Sequence, residues 1–413
     1  MKRRLTALLL CGALLMGALT GCASVRAADL MTGVQAGDMK TSIDVTGPEA
    51  TVVTDFAVKL LQQTAAEENT LLSPLSVLCA LGMTANGAKG ETLRQMEALF
   101  GMDLATLNRY LYAYAKGLPQ GERYTLSLAN SIWLRDDERL RVEPDFLQAN
   151  ADWYGAGALK APFDTSTVRE INDWVKHHTD GMIDGVLDKI PAEAVLYLVN
   201  ALAFEAEWQN IYEENQVWKA VFVAADGTAR ETDFLHSEEY RYLNDGSATG
   251  FLKSYADGKY AFAALLPNEG MDIQEYLSQM TGKTLHDTLT AATGEKVIVS
   301  LPKFETESAM SLAETLQAMG VTDAFDSETA DFTAMGTSDN GPLFINDVIH
   351  KTYIKVDERG TKAGAVTAVE MNAEGAPMEE PKRVTLDRPF VYMIVDTQAM
   401  VPVFLGTMLD VSA

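Results

Sequence analysis

Helical and strand-like periodicities alternate along the chain from about residue 49 to its C-terminal end. Residues 49–66 place apolar side chains three and four positions apart, which is the spacing of an amphipathic helix. Ser73 and Pro74 follow as a helix cap and a first helical residue, and they open an apolar run over residues 75–85. Because this run is apolar on nearly every side, it predicts a helix buried within the protein.

Strand patterns lie between the predicted helices. Residues 126–134 alternate as a sheet strand does, and residues 143–154 predict a helix that Gly155 and Gly157 end. Residues 194–208 are almost uniformly apolar, which is typical of a strand in the middle of a large sheet. A chain of 413 residues with 47% hydrophobic and 22% charged residues can bury a large core, so we expect a globular protein of mixed helices and strands.

Residues 356–376 combine the features of an exposed loop with those of a strand. Gly360 lies near one end and Pro377 and Pro381 follow the other, with charges around them, as in a surface loop. At a period of two, however, the charges of the interior fall on one face, as expected of a segment that must at some time lie in a sheet. An ordinary hairpin strand also fits this short pattern. The charge-free face holds Thr361, Ala363, Ala365, Thr367, Val369 and Met371, and the other face holds Lys362, Gly364, Val366, Ala368, Glu370 and Asn372.

The sequence around this loop resembles the serpin family. Several separated motifs occur in one order, and together they cover about residues 49–413. The resemblance implies a mixed α+β fold, with helices packed around three β-sheets, a large central sheet and an exposed reactive-centre loop at about residues 360–386. The motifs lie at residues 69–76, 87–92, 171–183, 194–208, 297–305, 312–325, 330–335, 344–361, 387–394 and 402–408.

Membership of this family implies a suicide inhibitor of serine proteases. The protease cleaves the loop and is held as an acyl-enzyme, while the freed loop inserts as a new strand into the central sheet and releases stored strain. By resemblance, the hinge of the loop comprises Glu358, Gly360, Thr361, Ala363, Ala365 and Thr367. The cluster at which the strands part comprises Ser73, Ser76, Asn200, Trp208 and His350. The family pattern is broken at Ala203, Glu205 and Ala206, where it usually has an aromatic residue, a lysine and a glycine.

The position of the scissile bond depends on which end of the loop is used for counting. Fourteen residues on from Gly360, the family's common spacing gives Glu374-Gly375, or Ala373-Glu374 if the loop is one residue shorter. Counting back from Pro389 gives Met378-Glu379 instead, because this loop is longer than usual. We favour Glu374-Gly375, since insertion depends on the length of the inserted half. The side chains then suggest an elastase-like or glutamyl-specific target rather than a trypsin-like one.

The N-terminal residues predict export and a lipid anchor. Lys2, Arg3 and Arg4 precede an apolar run over residues 5–19 that is too short to span a membrane. Leu19-Thr20-Gly21-Cys22 resembles a bacterial lipobox, so we expect residues 1–21 to be a signal peptide and Cys22 to be lipidated. A plain signal peptide is the alternative. We expect residues 22–48 to form a flexible tether, with residues 49–413 as the folded domain outside the cell, held on the envelope or secreted.

Charge and cysteine content narrow the range of partners. A formal net charge of −25 repels phosphate backbones and anionic glycans, so no nucleic acid partner is expected and the membrane is reached through the N-terminal lipid alone. Residues 103–123, which match the family's heparin-binding helix, hold few cations, so heparin binding is not expected. With Cys11 removed and Cys22 acylated, Cys79 is left without a disulfide partner. We expect a monomer.

The sequence does not predict an enzyme. It has no Gly-x-Ser-x-Gly elbow, no His-Glu-x-x-His motif, no phosphate-binding glycine loop and no cysteine pair, so no cofactor or metal is expected. His177 and His178 are adjacent, and on a helix they would project about 100° apart, which is poor geometry for one metal. Two alternatives to inhibition remain: a non-inhibitory serpin-like binding or chaperone protein, and a lipid-anchored surface protein unrelated to proteases.

Overall fold

The structure is a computed structural model that describes residues 27–65, 68–118, 124–137, 139–179, 181–191, 193–256, 258–339, 341–361 and 380–412. In these parts of the chain, helices pack around three main β-sheets, and two short strands pair separately. The described helices are α1 (Pro48–Thr64), α2 (Pro74–Ala85), α3 (Gly90–Phe100), α4 (Leu104–Lys116), α5 (Pro144–Tyr154), α6 (Thr165–His178), α7 (Ile273–Gln279), α8 (Gly282–Thr290) and α9 (Ala313–Ala318).

The strands of the first half of the chain are β1 (Ala28–Asp29), β2 (Thr70–Leu72), β3 (Tyr124–Arg135), β4 (Arg141–Val142), β5 (Gly157–Ala161), β6 (Leu196–Glu207), β7 (Val217–Val223) and β8 (Ala229–Glu239). Those of the second half are β9 (Tyr242–Asn244), β10 (Ala248–Ser254), β11 (Tyr260–Pro267), β12 (Val297–Pro302), β13 (Phe304–Ser311), β14 (Gly336–Thr337), β15 (Asp347–Val356), β16 (Gly360–Thr361), β17 (Lys382–Thr385), β18 (Phe390–Asp396) and β19 (Val401–Met408).

The sheets differ in size and in burial. The largest has seven strands in the order β1-β5-β3-β6-β16-β15-β13, and the second has six in the order β2-β19-β18-β11-β10-β9. Strands β11, β18 and β19 are buried along their whole length, which explains their almost uniformly apolar sequences. The third sheet has the order β17-β12-β8-β7, and β17 continues the chain after the loop.

The buried helix α2 joins the two larger sheets. Ser73 caps it, because its hydroxyl accepts a hydrogen bond from the backbone N–H of Ser76 at 3.4 Å, and Pro74 occupies the first helical position. All of its residues are buried, since it contacts β3 and β6 on one side and β19 on the other. The apolar run after Ser73 therefore predicts the helix and its burial correctly.

Most element boundaries agree with the predictions to within two or three residues. Helix α5 ends at Gly155, whose φ of 55° is left-handed and therefore suits glycine. The motif at residues 171–183 falls only partly within a helix. Helix α6 begins earlier, at Thr165, because the Asp164 carboxylate accepts hydrogen bonds from the backbone N–H groups of Ser166 and Thr167, and it ends at His178.

The predicted tether at residues 22–48 is wrong over its described part, residues 27–48. Strand β1 extends the seven-stranded sheet by pairing with β5, and the backbone N–H of Ala27 donates to Glu170 Oε2 at 2.7 Å. Farther on, the backbone N–H of Gly37 donates to Asp152 Oδ1 at 2.7 Å, and Ile43 and Val45 pack against the main core. Short strand pairing and scattered contacts hold this segment, and neither produces an apolar periodicity. The folded part therefore begins before residue 49.

Candidate functional site

Two central strands of the seven-stranded sheet form a seam that is closed at one end and parted at the other. Strands β6 and β15 pair in parallel from Asp347 opposite Tyr197 to Tyr353 opposite Ala203. Beyond that last pair, β16 lies between them and is antiparallel to both. The stretch that gave the strand-like pattern in the sequence thus begins inside the sheet, at the point where β6 and β15 separate.

Gly360 is the first residue of the chain to enter this gap. A Cβ atom at this position would lie 2.0 Å from the carbonyl oxygen of Ala206 and 2.8 Å from Cα of Glu207. Its φ of 156° is also one that other residues rarely adopt. Glycine is therefore required where the chain turns from the end of β15 into the gap.

Thr361 follows and points into the protein. It is 0% exposed, opposite Ala206 on β6 and Val356 on β15. Its hydroxyl is 2.6 Å from the hydroxyl of the buried Tyr255, so its polar atom is satisfied. The first residue of the charge-free face of the alternation is therefore buried in the structure.

The turn at residues 357–360 is held from below by the chain that leaves β6. The indole N–H of Trp208 donates to the carbonyl oxygen of Asp357 at 2.9 Å, and its backbone N–H donates to that of Arg359 at 2.8 Å. The backbone N–H of Tyr212 donates to the carbonyl oxygen of Glu358 at 2.8 Å. Within the turn, the N–H of Asp357 donates to the carbonyl oxygen of Gly360. We call residues 357–360 the hinge turn.

An ion pair fixes the side chain of the hinge turn's acidic residue. Lys303 Nζ lies 2.6 Å from Glu358 Oε1. Partial burial by itself raises the pKa of Glu358, but the hydrogen bond from Lys303 and its charge outweigh burial and lower that pKa below its ordinary value. Glu358 is therefore ionised at neutral pH and tied to the start of β13, the neighbour of β15.

A polar cluster crosses the closed part of the seam. His350 on β15 lies directly opposite Asn200 on β6, and its Nδ1 is 2.6 Å from Asn200 Oδ1. The amide nitrogen of Asn200 donates to the carbonyl oxygen of Ser76 at 2.7 Å and also contacts the Ser76 hydroxyl and Asn130. The cluster therefore ties both strands of the seam to the first turn of α2.

The tautomer of His350 follows from its partners. The backbone N–H of Ser73 donates to Nε2 at 3.0 Å, so this nitrogen is the acceptor and Nδ1 carries the proton that is donated to Asn200. Both functions require a neutral ring. Complete burial lowers the pKa of His350 to about 3, so the ring is neutral at physiological pH.

The predicted site residues fall into two groups. The structure brings Ser73, Ser76, Asn200 and His350 together at the seam and places Trp208 under the hinge turn. The other predicted residues of the loop and the N-terminus lie outside the described residues. These are Ala363, Ala365, Thr367, Ala373, Glu374, Gly375, Met378, Glu379 and Cys22.

Three residues that contact the hinge were not found from the sequence. Tyr212, Tyr255 and Lys303 act through the folded arrangement and carry no motif of their own, although Lys303 lies inside one of the family-like stretches. The departures from the family pattern leave β6 unbroken. Its pairing with β3 continues from Leu196 to Ala206, and the carbonyl of Ala206 borders the Gly360 gap.

This fold and site define a protein whose central sheet is parted at one end by the short strand β16. The family model described as serpin, serine protease inhibitor, matches residues 51–411. The chain therefore belongs to the serpin family, which confirms the predicted fold class. Most members of this family inhibit serine proteases.

Relatives and solved structures agree with this assignment. Iripin-5 of Ixodes ricinus is 31% identical, over 85% of this chain and 92% of its own length. A serpin-like protein of Thermococcus kodakarensis is 29% identical, over 88% of this chain and 86% of its own. The crystal structure of the thermophilic serpin tengpin in the native state is 45% identical and covers 94% of this chain and all of its own, with a TM-score of 0.89.

We predict that the protein is less stable in mild acid because His350 takes up a proton in the unfolded chain but not in the folded one. The folded-state pKa of about 3 lies below the ordinary value of 6.5, so between these pH values the unfolded chain binds a proton that the folded chain does not. Stability from this group is therefore present above pH 6.5 and is lost as the pH falls toward 3, at up to about 1.4 kcal/mol per pH unit. Urea unfolding of wild type and His350→Gln from about pH 7.5 to about pH 4 measures this.

The variant should be less stable near neutral pH but should lose stability more slowly than the wild type on acidification. Taking the difference between the two proteins removes the contribution of the carboxylates that titrate in the same range. His177→Gln is the control, because the His177 side chain is exposed on α6. Parallel stability curves for wild type and His350→Gln would show that His350 does not titrate as argued.

Proposed function

We propose that this chain inhibits serine proteases by the suicide mechanism of its family. A protease cleaves the loop between β16 and β17, and the residues after Thr361 then enter the seam while the protease is still an acyl-enzyme. The observation that carries this proposal is the position of β16. Gly360 and Thr361 already lie between β6 and β15 in the antiparallel direction that a longer inserted strand would need.

Insertion exchanges one ladder of backbone hydrogen bonds for two. The closed seam is a parallel pairing between β6 and β15. A strand that continued from β16 would replace it with an antiparallel pairing on each side, and antiparallel pairs are slightly more stable per residue. The inserted strand would also bury its inward side chains, so the inserted state gains both hydrogen bonds and apolar burial.

The observed register favours the sequence of this loop as the inserted strand. If the pairing of Thr361 with Ala206 is continued along β6 in the same register, Met371 would lie opposite Leu196, where β6 begins. The inward positions would then be the charge-free face of the loop, so no charge would have to enter the protein interior. Cleavage at Glu374-Gly375 would leave a segment long enough to fill the seam.

The same register supplies a replacement for the hydrogen bond that insertion must break. If this register is continued along β6 and along β15, Thr367 would lie opposite both Asn200 and His350. A threonine hydroxyl can accept from His350 Nδ1–H and donate to Asn200 Oδ1. The buried polar groups of the cluster would then keep partners after the strands separate, which avoids the cost of leaving them unsatisfied.

We also propose that this activity operates outside the cell on a protein anchored through Cys22. The basic residues, the short apolar run and the Leu-Thr-Gly-Cys tetrapeptide of the N-terminus favour this location. The lipid would be followed by only a few residues before β1, since the described chain joins the sheet at Ala28. An anchored domain would therefore lie close to the membrane surface instead of on a long tether.

Thr361→Arg is expected to convert the inhibitor into a substrate. The substitution places a guanidinium where a fully buried hydroxyl contacts Tyr255, so β16 should leave the sheet and insertion should slow. Trapping is a race between insertion and hydrolysis of the acyl-enzyme, and each increment of about 1.4 kcal/mol on the insertion barrier slows it about tenfold. The measurement is the fraction of denaturant-stable complex on a gel, with elastase-type and glutamyl-specific serine proteases as probes.

Arg359→Gln is the matched control, because it removes an exposed charge from the same turn and should still trap. The melting temperature gives an independent readout: cleaved wild type should melt well above the uncut protein, and cleaved Thr361→Arg should not. Stable complexes formed by Thr361→Arg, or equal melting temperatures of cut and uncut wild type, would indicate a non-inhibitory serpin instead.

The proposed scissile bond is tested by the mass of the released C-terminal peptide. We expect this peptide to begin at Gly375, because cleavage there leaves a segment that fills the seam in the observed register. Glu374→Lys should then reduce cleavage by a glutamyl-specific protease, whereas Glu379→Lys should not. A peptide that begins at Glu379 would place the bond later in the loop and show that the count from Gly360 is wrong.

If Cys22 is lipidated, labelled fatty acid should be incorporated at this residue. The wild type, expressed in a bacterium with lipoprotein processing, should take up the label and fractionate with membranes. Cys22→Ser should lose the label and be released or mislocalised, and Cys79→Ser should keep it, since Cys79 is buried in α2. An unlabelled wild type found in the soluble fraction would favour a plain signal peptide.

A further inference from the structure

A closed ring of polar side chains lies beneath the hinge turn, where the three main sheets meet. Its centre is Lys253 on β10, which is only 3% exposed. Lys253 Nζ is 2.8 Å from Glu239 Oε1 on β8, and only 4% and 14% of these two side chains are exposed. A buried ion pair of this kind is not explained by stability alone, because removing two charges from water costs much of what their attraction returns.

Hydrogen bonds close the ring through Ser237 and Tyr212. The Ser237 hydroxyl donates to Glu239 Oε1 at 2.7 Å, so its oxygen is free to accept from the Tyr212 hydroxyl, which lies 3.2 Å away. Lys253 Nζ in turn lies over the Tyr212 ring, 4.4 Å from its centroid. Every member of the ring is thus held by the next.

The ring includes Tyr212 and contacts Trp208, the two residues that hydrogen-bond to the hinge turn. Lys253 Nζ also lies 5.4 Å from the centroid of Trp208, and Trp208 stacks on Tyr255 with centroids 4.5 Å apart. Trp208 and Tyr212 are the residues whose N–H groups bind the carbonyl oxygens of residues 357–359. Burial by itself lowers the pKa of Lys253, but Tyr212 and Glu239 raise it above its ordinary value, so the cation persists at neutral pH.

We propose that Lys253 and Glu239 position Trp208 and Tyr212 so that the hinge turn is preformed for strand insertion. The inference rests on the proposed function for its consequence, namely that the ring sets the balance between trapping and hydrolysis. Lys253 does not touch the loop itself and acts through the two aromatic residues. Without the ring, the hinge turn would form less often, and insertion would start from it more slowly.

The first experiment measures the hinge directly and needs no protease. Hydrogen–deuterium exchange, read by NMR in the uncut protein, should be about tenfold faster at the amides of Trp208, Tyr212 and Asp357 in Lys253→Met/Glu239→Gln, which corresponds to about 1.4 kcal/mol. Removing both charges together avoids leaving one of them buried without a partner. Tyr212→Phe removes one hydroxyl and keeps the aromatic side chain under the hinge turn, so it should show a smaller increase in the exchange rate. It provides the test if the double variant does not fold.

Arg230→Met is the matched control, because it breaks another ion pair of the same strand, far from the hinge. Arg230 lies at the opposite end of β8, 2.8 Å from Asp410. Its removal should leave the exchange of the three amides unchanged. The inference is overturned if those amides exchange at wild-type rates in both ring variants, or if Arg230→Met accelerates them equally.

The second experiment measures the consequence for inhibition. With a protease that the wild type traps, the ring variants should need several-fold more inhibitor per protease, while the rate constant of association stays within about twofold, because loop recognition is unchanged. A merely structural defect would lower the active fraction without faster exchange at the hinge. If the wild type trapped no protease while exchange was accelerated as expected, the proposed function would fail and the positioning of the hinge would be supported.

Discussion

The pairing of β6 with β15 is the interaction on which the rest of this structure depends. It holds the centre of the largest sheet together, yet it ends at Tyr353 opposite Ala203, and β16 begins only beyond that point. A parallel pairing in mid-sheet is a reasonable seam to open, because a strand of the opposite direction can replace it on both sides. In the proposed mechanism, the stability of the native state and its capacity to change are therefore two aspects of one ladder of hydrogen bonds.

The polar cluster shows why such a seam is not simply apolar. An apolar seam would close well, but it would hold no specific link to the helix below. His350 and Asn200 bond to each other across the seam and to the first turn of α2, so the strands are aligned with respect to that helix. The side chains of the cluster are short or planar, so their partners can be exchanged with little movement. The neutral state of His350 is a condition for this arrangement.

Of the five residues predicted for the polar cluster, Trp208 lies instead under the hinge turn. The sequence was sufficient to predict the fold, the buried helix α2 and the other four residues, Ser73, Ser76, Asn200 and His350, which the structure brings together. These features leave a local record, either as periodicity or as a motif such as the capped Ser73-Pro74 start. Residues 27–48 left no such record, since strand β1 is only two residues long and pairs with a strand distant in sequence. The Lys253 ring was also missed. Lys253 lies in one sheet and its partner Glu239 in another. The residues that neighbour Lys253 in the chain therefore do not indicate that it is buried and paired.

In the proposed mechanism, the hinge turn is the starting point of insertion. Residues 357–360 are fixed by hydrogen bonds from Trp208 and Tyr212, and Thr361 is fixed by Tyr255, so the first two residues of the proposed inserted strand are already in place. Continued in the same register, Ala363 would lie opposite Phe204 and Ile354, just outside the closed part of the seam. The following residue would have to separate the pair between Tyr353 and Ala203, and each later residue another pair in turn. Every pair broken before a new one forms would raise the free energy, which opposes insertion while the chain is still joined to β17. Cleavage would remove this connection, and the same hinge turn would then be the point from which the strand could grow.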